Sequence, residues 1–125
     1  ASVAPDSQLL RIYEQITQQT YRQMGIILRS GDFEAAQNLA MAFFQRPQPQ
    51  NYPLGYFYAG MQSRYALSVL LSGDAQMAKQ LYHAFKLENY TDEQSIAQAI
   101  ADIQALEAIG LSHKKTQKIL RLLRK

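Results

Sequence analysis

Residues 28–43 read LRSGDFEAAQNLAMAF, and residues 70–85 read LLSGDAQMAKQLYHAF. Aligned without a gap, the two segments are identical at eight of sixteen positions, including a shared Ser-Gly-Asp. Gly31 and Gly73 can adopt the left-handed conformation that ends a helix, and the aspartate after each of them can cap the next helix. The repeat therefore predicts two helical hairpins whose turns lie 42 residues apart.

Apolar residues at steps of three and four extend the helical pattern on both sides of each turn. The predicted helices span about 7–30, 33–45, 54–72 and 74–87, and the proline-rich stretch 46–53 separates the second from the third. The third helix is apolar almost all round, which is typical of a buried element.

Two further helices are predicted after residue 90. Thr91 with Gln94 has the form of a capping box and opens a fifth helix that ends at Gly110. Ser112 can cap a sixth helix. No stretch shows the alternation that is typical of strands, so the predicted fold class is all-α with about six helices.

A hairpin repeated at a period between about 20 and 50 residues is typical of a stacked α-solenoid. The second copy resembles the second helix of a tetratricopeptide repeat at Gly73, Asp74, Ala78 and Tyr82. The first copy matches at the corresponding glycine, aspartate and alanine, but Ala40 stands where the family has an aromatic residue. The period is also longer than the family's, which is about 34 residues.

This resemblance implies antiparallel hairpins stacked as a short solenoid. Residues 7–90 would form two hairpins, residues 91–125 a helix pair that caps them, and residues 1–6 an N-terminal extension. It also implies a scaffold, adaptor or chaperone-like module that binds a peptide or helix of another protein in a groove. Since about three repeats are usually needed for stability, a homodimer is a further expectation.

Aromatic residues around the third helix are the candidates for partner contacts. Tyr58, Met61 and Tyr65 are spaced to share one helical face, and tyrosine offers a rigid contact surface with a polar tip. We expect the partner-binding groove to lie between the first and third helices. The alternative is that most of these residues simply pack between the hairpins. The candidates are Tyr21, Tyr52, Tyr56, Tyr58, Met61 and Tyr65.

The charge is distributed unevenly along the chain. Residues 1–110 carry seven basic and ten acidic side chains, whereas residues 111–125 carry six basic side chains and no acid. Residues 105–125 resemble a helix-turn-helix, which implies a small nucleic-acid-binding regulator as the alternative function. The basic helix is otherwise interpreted first as a solvated cap on the body of the protein, and then as a helix that contacts an acidic protein or membrane surface. The candidate contacts are Lys114, Lys115, Lys118, Arg121 and Arg124.

The sequence predicts no catalytic centre, metal site or cofactor, and hence no enzyme. The chain has no cysteine, and its two histidines, His83 and His113, lie on different predicted helices without acidic residues at ligand spacing. Asp102 and Glu107 do not share a helical face. No glycine-rich phosphate loop is present.

No apolar run approaches the roughly 20 residues that span a bilayer, so no transmembrane segment is expected. The compartment is not fixed by the sequence. The cytoplasm is the favoured location, and the periplasm or secretion stays open if the N-terminal ASVAPDSQ is a processed end.

Overall fold

The structure, a computed structural model, describes residues 5–50 and 52–125. Those residues form six helices and no strand, which confirms the predicted all-α fold class. The predicted N-terminal extension, residues 1–6, falls mostly outside the described residues. The helices are α1 (Pro5–Arg29), α2 (Phe33–Phe44), α3 (Tyr56–Leu71), α4 (Ala75–Leu87), α5 (Glu93–Ala108) and α6 (Thr116–Arg124).

Both Ser-Gly-Asp turns are helix-to-helix turns, as predicted. Gly31 and Gly73 have φ angles of 84° and 116°, a region that an L side chain rarely adopts. The carboxylates of Asp32 and Asp74 each accept the backbone N–H three residues on, at 3.1 Å. The two turns therefore join α1 to α2 and α3 to α4.

The helices stack as hairpins around α3. This helix packs against α1, α2, α4 and α5, and ten of its sixteen residues are buried, as its apolar composition predicts. Gly110, at φ 86°, makes the turn between α5 and α6, so these two helices form a further hairpin, with α5 on α3 and α6 on α4. Along the stack, α1, α3 and α5 lie side by side.

The core forms two clusters that meet at α3. One lies between α1, α2 and α3 and contains Met24, Phe43 and Met61. The other lies between α3, α4, α5 and α6 and contains Tyr82 and Ile103 among its fully buried side chains. The alanines after the two repeat turns, Ala36 and Ala78, are 0% exposed, which lets neighbouring helices approach closely.

Two predicted N-caps are wrong. The N-cap of α5 is Asp92 rather than Thr91, because the Asp92 carboxylate accepts both the backbone N–H and the hydroxyl of Ser95, at 2.8 and 2.9 Å. Ser112 does not cap α6, which begins at Thr116. The Thr116 hydroxyl instead accepts the backbone N–H of His113 at 2.9 Å, and this bond helps to form the turn before the helix. In addition, α3 begins at Tyr56, two residues later than expected.

Candidate functional site

The groove expected between α1 and α3 is filled. A Cβ atom added to Gly60 would lie 2.3 Å from Cε2 of Tyr21, so this glycine allows the two helices to pack directly. Tyr21 is 8% exposed and Met61 is 0% exposed. The placement of these two residues in a partner-binding groove is therefore corrected: they belong to the core.

A polar network joins α1, α3 and α5 at this contact. The Arg64 guanidinium lies 3.7 Å from the centre of the Tyr21 ring and donates to the Tyr21 carbonyl at 2.5 Å. It also donates to both carboxylate oxygens of Asp102, at 2.9 and 3.3 Å. Because Arg64 is only 7% exposed, this two-point pair is well shielded from water. The sequence did not single out this pair, whose members are 38 residues apart.

Tyr56 belongs to the same network. Its hydroxyl donates to Gln98 at 2.9 Å, and Gln98 donates to Asp102 at 2.9 Å. The Tyr56 hydroxyl also lies 3.5 Å from that of Tyr21, and burial together with this hydrogen bond raises the pKa of Tyr21. Tyr56 therefore has intramolecular partners at its polar tip, although it was a candidate for partner binding.

Tyr52 has a similar intramolecular role. Its hydroxyl donates to the Glu14 carboxylate, and its ring packs edge-on against Tyr13 with ring centres 4.5 Å apart. Burial, reinforced by the bond to Glu14, raises the pKa of Tyr52 to about 12. Tyr52 thus fixes the end of the proline-rich connection against α1.

An open apolar groove lies on the other side of α3. Both α2 and α4 pack on α3 but make little contact with each other, which leaves a depression of about 200 Å³ between them. We call this the aromatic groove. Its lining residues are Phe44, Gln62, Tyr65, Leu81, Ala84, Phe85 and Glu88.

Aromatic side chains continue the aromatic groove at one end. Tyr58 is half-buried and packs edge-on against Phe44 and Tyr90, with ring centres 5.8 and 5.7 Å away. The Tyr90 hydroxyl donates to Gln62 at 2.9 Å. Burial raises the pKa of Tyr58, and the negative charge of Glu88 raises it further by a smaller amount. The structure thus brings Tyr58 and Tyr65 to one open surface.

Two exposed methionines lie on the helices that wall the aromatic groove, at positions that share a helical face with two of its lining residues. Met41 is 46% exposed and lies three residues before Phe44 on α2, while Met77 is 42% exposed and lies four residues before Leu81 on α4. Residues at these spacings share a helical face. Methionine side chains are flexible and polarisable, so the walls can adapt to different apolar side chains.

A second groove lies between α4 and α6. A depression of about 420 Å³ adjoins another of about 230 Å³, and the two share Lys79, Lys118 and Ile119. We call them together the basic groove. Its lining residues are Ala75, Gln76, Lys79, Lys115, Lys118, Ile119, Arg121, Leu122 and Lys125.

The cations of the basic groove lack neutralising acids. Helix α4 contains no acidic residue, and residues 111–125 contain none either. Within residues 5–50 and 52–125 the side chains that form an ion pair are Arg64 and Asp102, on another side of the molecule. The neighbouring ammonium group of Lys118 lowers the pKa of Lys115. The groove therefore holds uncompensated positive charge.

The five cations predicted from the sequence are divided by the structure. Lys115, Lys118 and Arg121 line the basic groove, whereas Lys114 and Arg124 are exposed but do not line it. Sequence reasoning missed Lys79 and Lys125. Lys125 continues the basic tail, but only the packing of α4 against α6 brings Lys79 to this site.

One further lysine holds the end of α6 in place. The Lys86 ammonium donates to the carbonyls of Leu122 and Lys125, at 2.8 and 3.1 Å. A cation at a helix C-terminus satisfies carbonyls that have no partner within the helix and interacts favourably with the helix dipole. This contact ties the last turn of α6 to α4 and so fixes one end of the basic groove.

Comparison of the chain with protein-family models, with curated proteins and with solved structures finds no match. The class that the structure itself defines is an all-α protein of stacked helical hairpins with two open interhelical grooves. No described helix is both long and apolar enough to cross a membrane. In the described part of the chain, no group of three or more His, Cys, Asp or Glu side chains is placed to hold a metal ion.

Proposed function

We propose that this protein is a protein-interaction module that holds a peptide or helix of a partner in the aromatic groove. The observation that carries the proposal is the open apolar surface over Tyr65, walled by Phe44 of α2 and by Leu81 and Ala84 of α4. An adaptor or chaperone-like role falls within the same proposal. The resemblance of the repeat to tetratricopeptide motifs supports a scaffold function of this kind.

The chemistry of the aromatic groove favours an amphipathic helix. Aromatic side chains are prominent at sites that dominate binding energy, because they bury a large rigid area at a low entropic cost. Apolar residues at helical spacing on a partner can lie along Tyr58 and Tyr65, as in other helix-in-groove complexes. Gln62 can offer hydrogen bonds, and Glu88 favours a basic residue at that end of the groove.

The test uses peptides selected from a random library by binding to the wild-type protein. Ala84 is exposed in the groove wall, and Ala84→Arg would place a long charged side chain in the groove while keeping a good helix former. Ala97→Arg makes the same change on an exposed position of α5 and serves as the matched control. We expect Ala84→Arg to weaken peptide binding, measured by fluorescence anisotropy, by roughly tenfold or more.

Circular dichroism and thermal unfolding would show that both variants are folded. Equal affinities for the wild type and Ala84→Arg would overturn the proposal. So would an equal loss in Ala97→Arg, because the selected peptides would then bind elsewhere.

A further inference from the structure

We infer that the basic groove is a second docking site, and that its occupant is a short acidic amphipathic segment of a partner protein. This goes beyond the proposed function because the surface is different and its charge specifies the chemistry of the partner. The two sites lie on opposite sides of α4: Leu81 and Ala84 face the aromatic groove, and Lys79 faces the basic groove.

Charge complementarity identifies an acidic occupant. Lys79 of α4 faces Lys118, Arg121 and Lys125 of the α6 segment across the basic groove, without an acidic side chain among the lining residues. Like charges that line one depression repel one another. Carboxylates placed between them would relieve this repulsion and would form charge-assisted hydrogen bonds.

The floor of the basic groove identifies an amphipathic occupant. Ile119 and Leu122 line the larger depression beneath the cations, and the floor is apolar. A purely acidic chain would leave this floor uncovered. Since α6 has nine residues, the basic groove is about 14 Å long, which fits about two and a half turns of helix. Leucine-like side chains at helical spacing would reach the floor while carboxylates on their flanks pair with the rim.

Nucleic acid is the other polyanion that a basic surface attracts, and the lining favours it less. The basic groove has no aromatic side chain on which a base can stack. In a helix-turn-helix the exposed face of the second helix enters the major groove of DNA. Here Lys118 and Arg121 line a recess shared with α4, and Gln117 is bonded to Glu107 of α5 at 3.2 Å.

The test measures binding of three fluorescent probes to the whole chain by anisotropy, at low and at physiological salt. The first probe is an amphipathic peptide of leucine and glutamate with leucines at helical spacing. The second has the same composition in an order that destroys the amphipathic face, and the third is a duplex DNA. We expect the first probe to bind roughly tenfold or more tightly than the second, because only the first covers the apolar floor.

Two changes to the protein locate the site. Lys79→Glu combined with Lys118→Glu should weaken binding of the amphipathic peptide by roughly tenfold or more. Leu122→Gln leaves the charge unchanged and should weaken it by roughly fivefold through loss of apolar contact. The matched control is Arg11→Glu combined with Arg22→Glu, two charge reversals at exposed positions of α1, which should change affinity less than twofold at physiological salt.

Several results would overturn the inference. Equal affinities for the two peptides would show that the surface recognises net charge alone. Tighter binding of DNA, weakened by the lysine reversals but not by Leu122→Gln, would assign the surface to nucleic acid. A loss in the Arg11→Glu/Arg22→Glu control as large as in the lysine variant would show that no particular surface is used. Ala84→Arg should leave binding of the amphipathic peptide unchanged, so this inference and the proposed function can fail separately.

Discussion

Gly60→Ala tests the direct packing of α1 against α3. An alanine is ordinarily better than glycine inside a helix, by about 0.5–1 kcal/mol. At this position, however, the new methyl group would lie 2.3 and 2.7 Å from two carbons of the Tyr21 ring. One face of that ring is covered by the Arg64 guanidinium, which is itself held by Asp102, and Phe57 packs edge-on against the ring. The ring therefore has little room to move away.

The two effects oppose each other, and the steric effect is the larger. Forcing an extra methyl group into a well-packed contact costs about 1–3 kcal/mol, sometimes more. After the gain in helix propensity is subtracted, we expect Gly60→Ala to lower the free energy of unfolding by about 1–2 kcal/mol. Urea unfolding followed by far-ultraviolet circular dichroism measures this difference, and Ala101→Gly at an exposed site in α5 calibrates the propensity.

A double-mutant cycle identifies the cause. In a Tyr21→Val background the two clashing ring carbons are absent, so Gly60→Ala should there be neutral or stabilising by up to about 1 kcal/mol. A gain in stability from Gly60→Ala alone would refute the close approach of the two helices. The same destabilisation in both backgrounds would show that Tyr21 is not the obstacle.

Three further changes test the network and the caps. Asp102→Ala leaves Arg64 buried without its carboxylate and should lower the free energy of unfolding by about 3 kcal/mol. Adding Arg64→Met to the same chain should restore part of this loss. A loss below about 1 kcal/mol in Asp102→Ala would contradict a pair that is shielded from water. Asp74→Ala removes the α4 cap and should cost about 1 kcal/mol in the same assay. Hydrogen bonds from Ser95 lower the pKa of Asp92 from its ordinary 3.8, so this cap stabilises the fold above that pH and loses its effect as the pH falls through the lowered value. Asp92→Asn should therefore flatten the acid side of a melting-temperature profile, and an unchanged profile would show that the Asp92 cap does not contribute.

Local features of the sequence predict the hairpins well. A glycine followed by aspartate at residues 31–32 and 73–74 specifies a left-handed residue and a cap without help from distant residues. The start of α5 was predicted wrongly because Thr91 and Asp92 are adjacent and both are good caps. The structure shows that the Asp92 carboxylate accepts two bonds from Ser95, whereas the hydroxyl of Thr91 is buried without a partner.

The positions of the grooves depend on contacts that sequence spacing does not contain. Tyr58, Met61 and Tyr65 were predicted to share a face, but α3 packs against four other helices, so a small rotation separates the fully buried Met61 from the half-buried Tyr58 and Tyr65. The sequence likewise identified the basic tail but not Lys79, which reaches it only through tertiary packing. Gly60, whose missing side chain closes the expected groove, has no sequence signal that distinguishes it from a helix-weakening glycine.

Because α4 forms one wall of both grooves, the two surfaces are separated by a single helix of thirteen residues. Leu81 and Ala84 line the aromatic groove, and Lys79 lines the basic groove from the opposite side of the same helix. An α-helix with its side chains is about 10 Å across. One partner chain that carried both an apolar segment and an acidic segment would therefore need only a short linker between them to contact both surfaces.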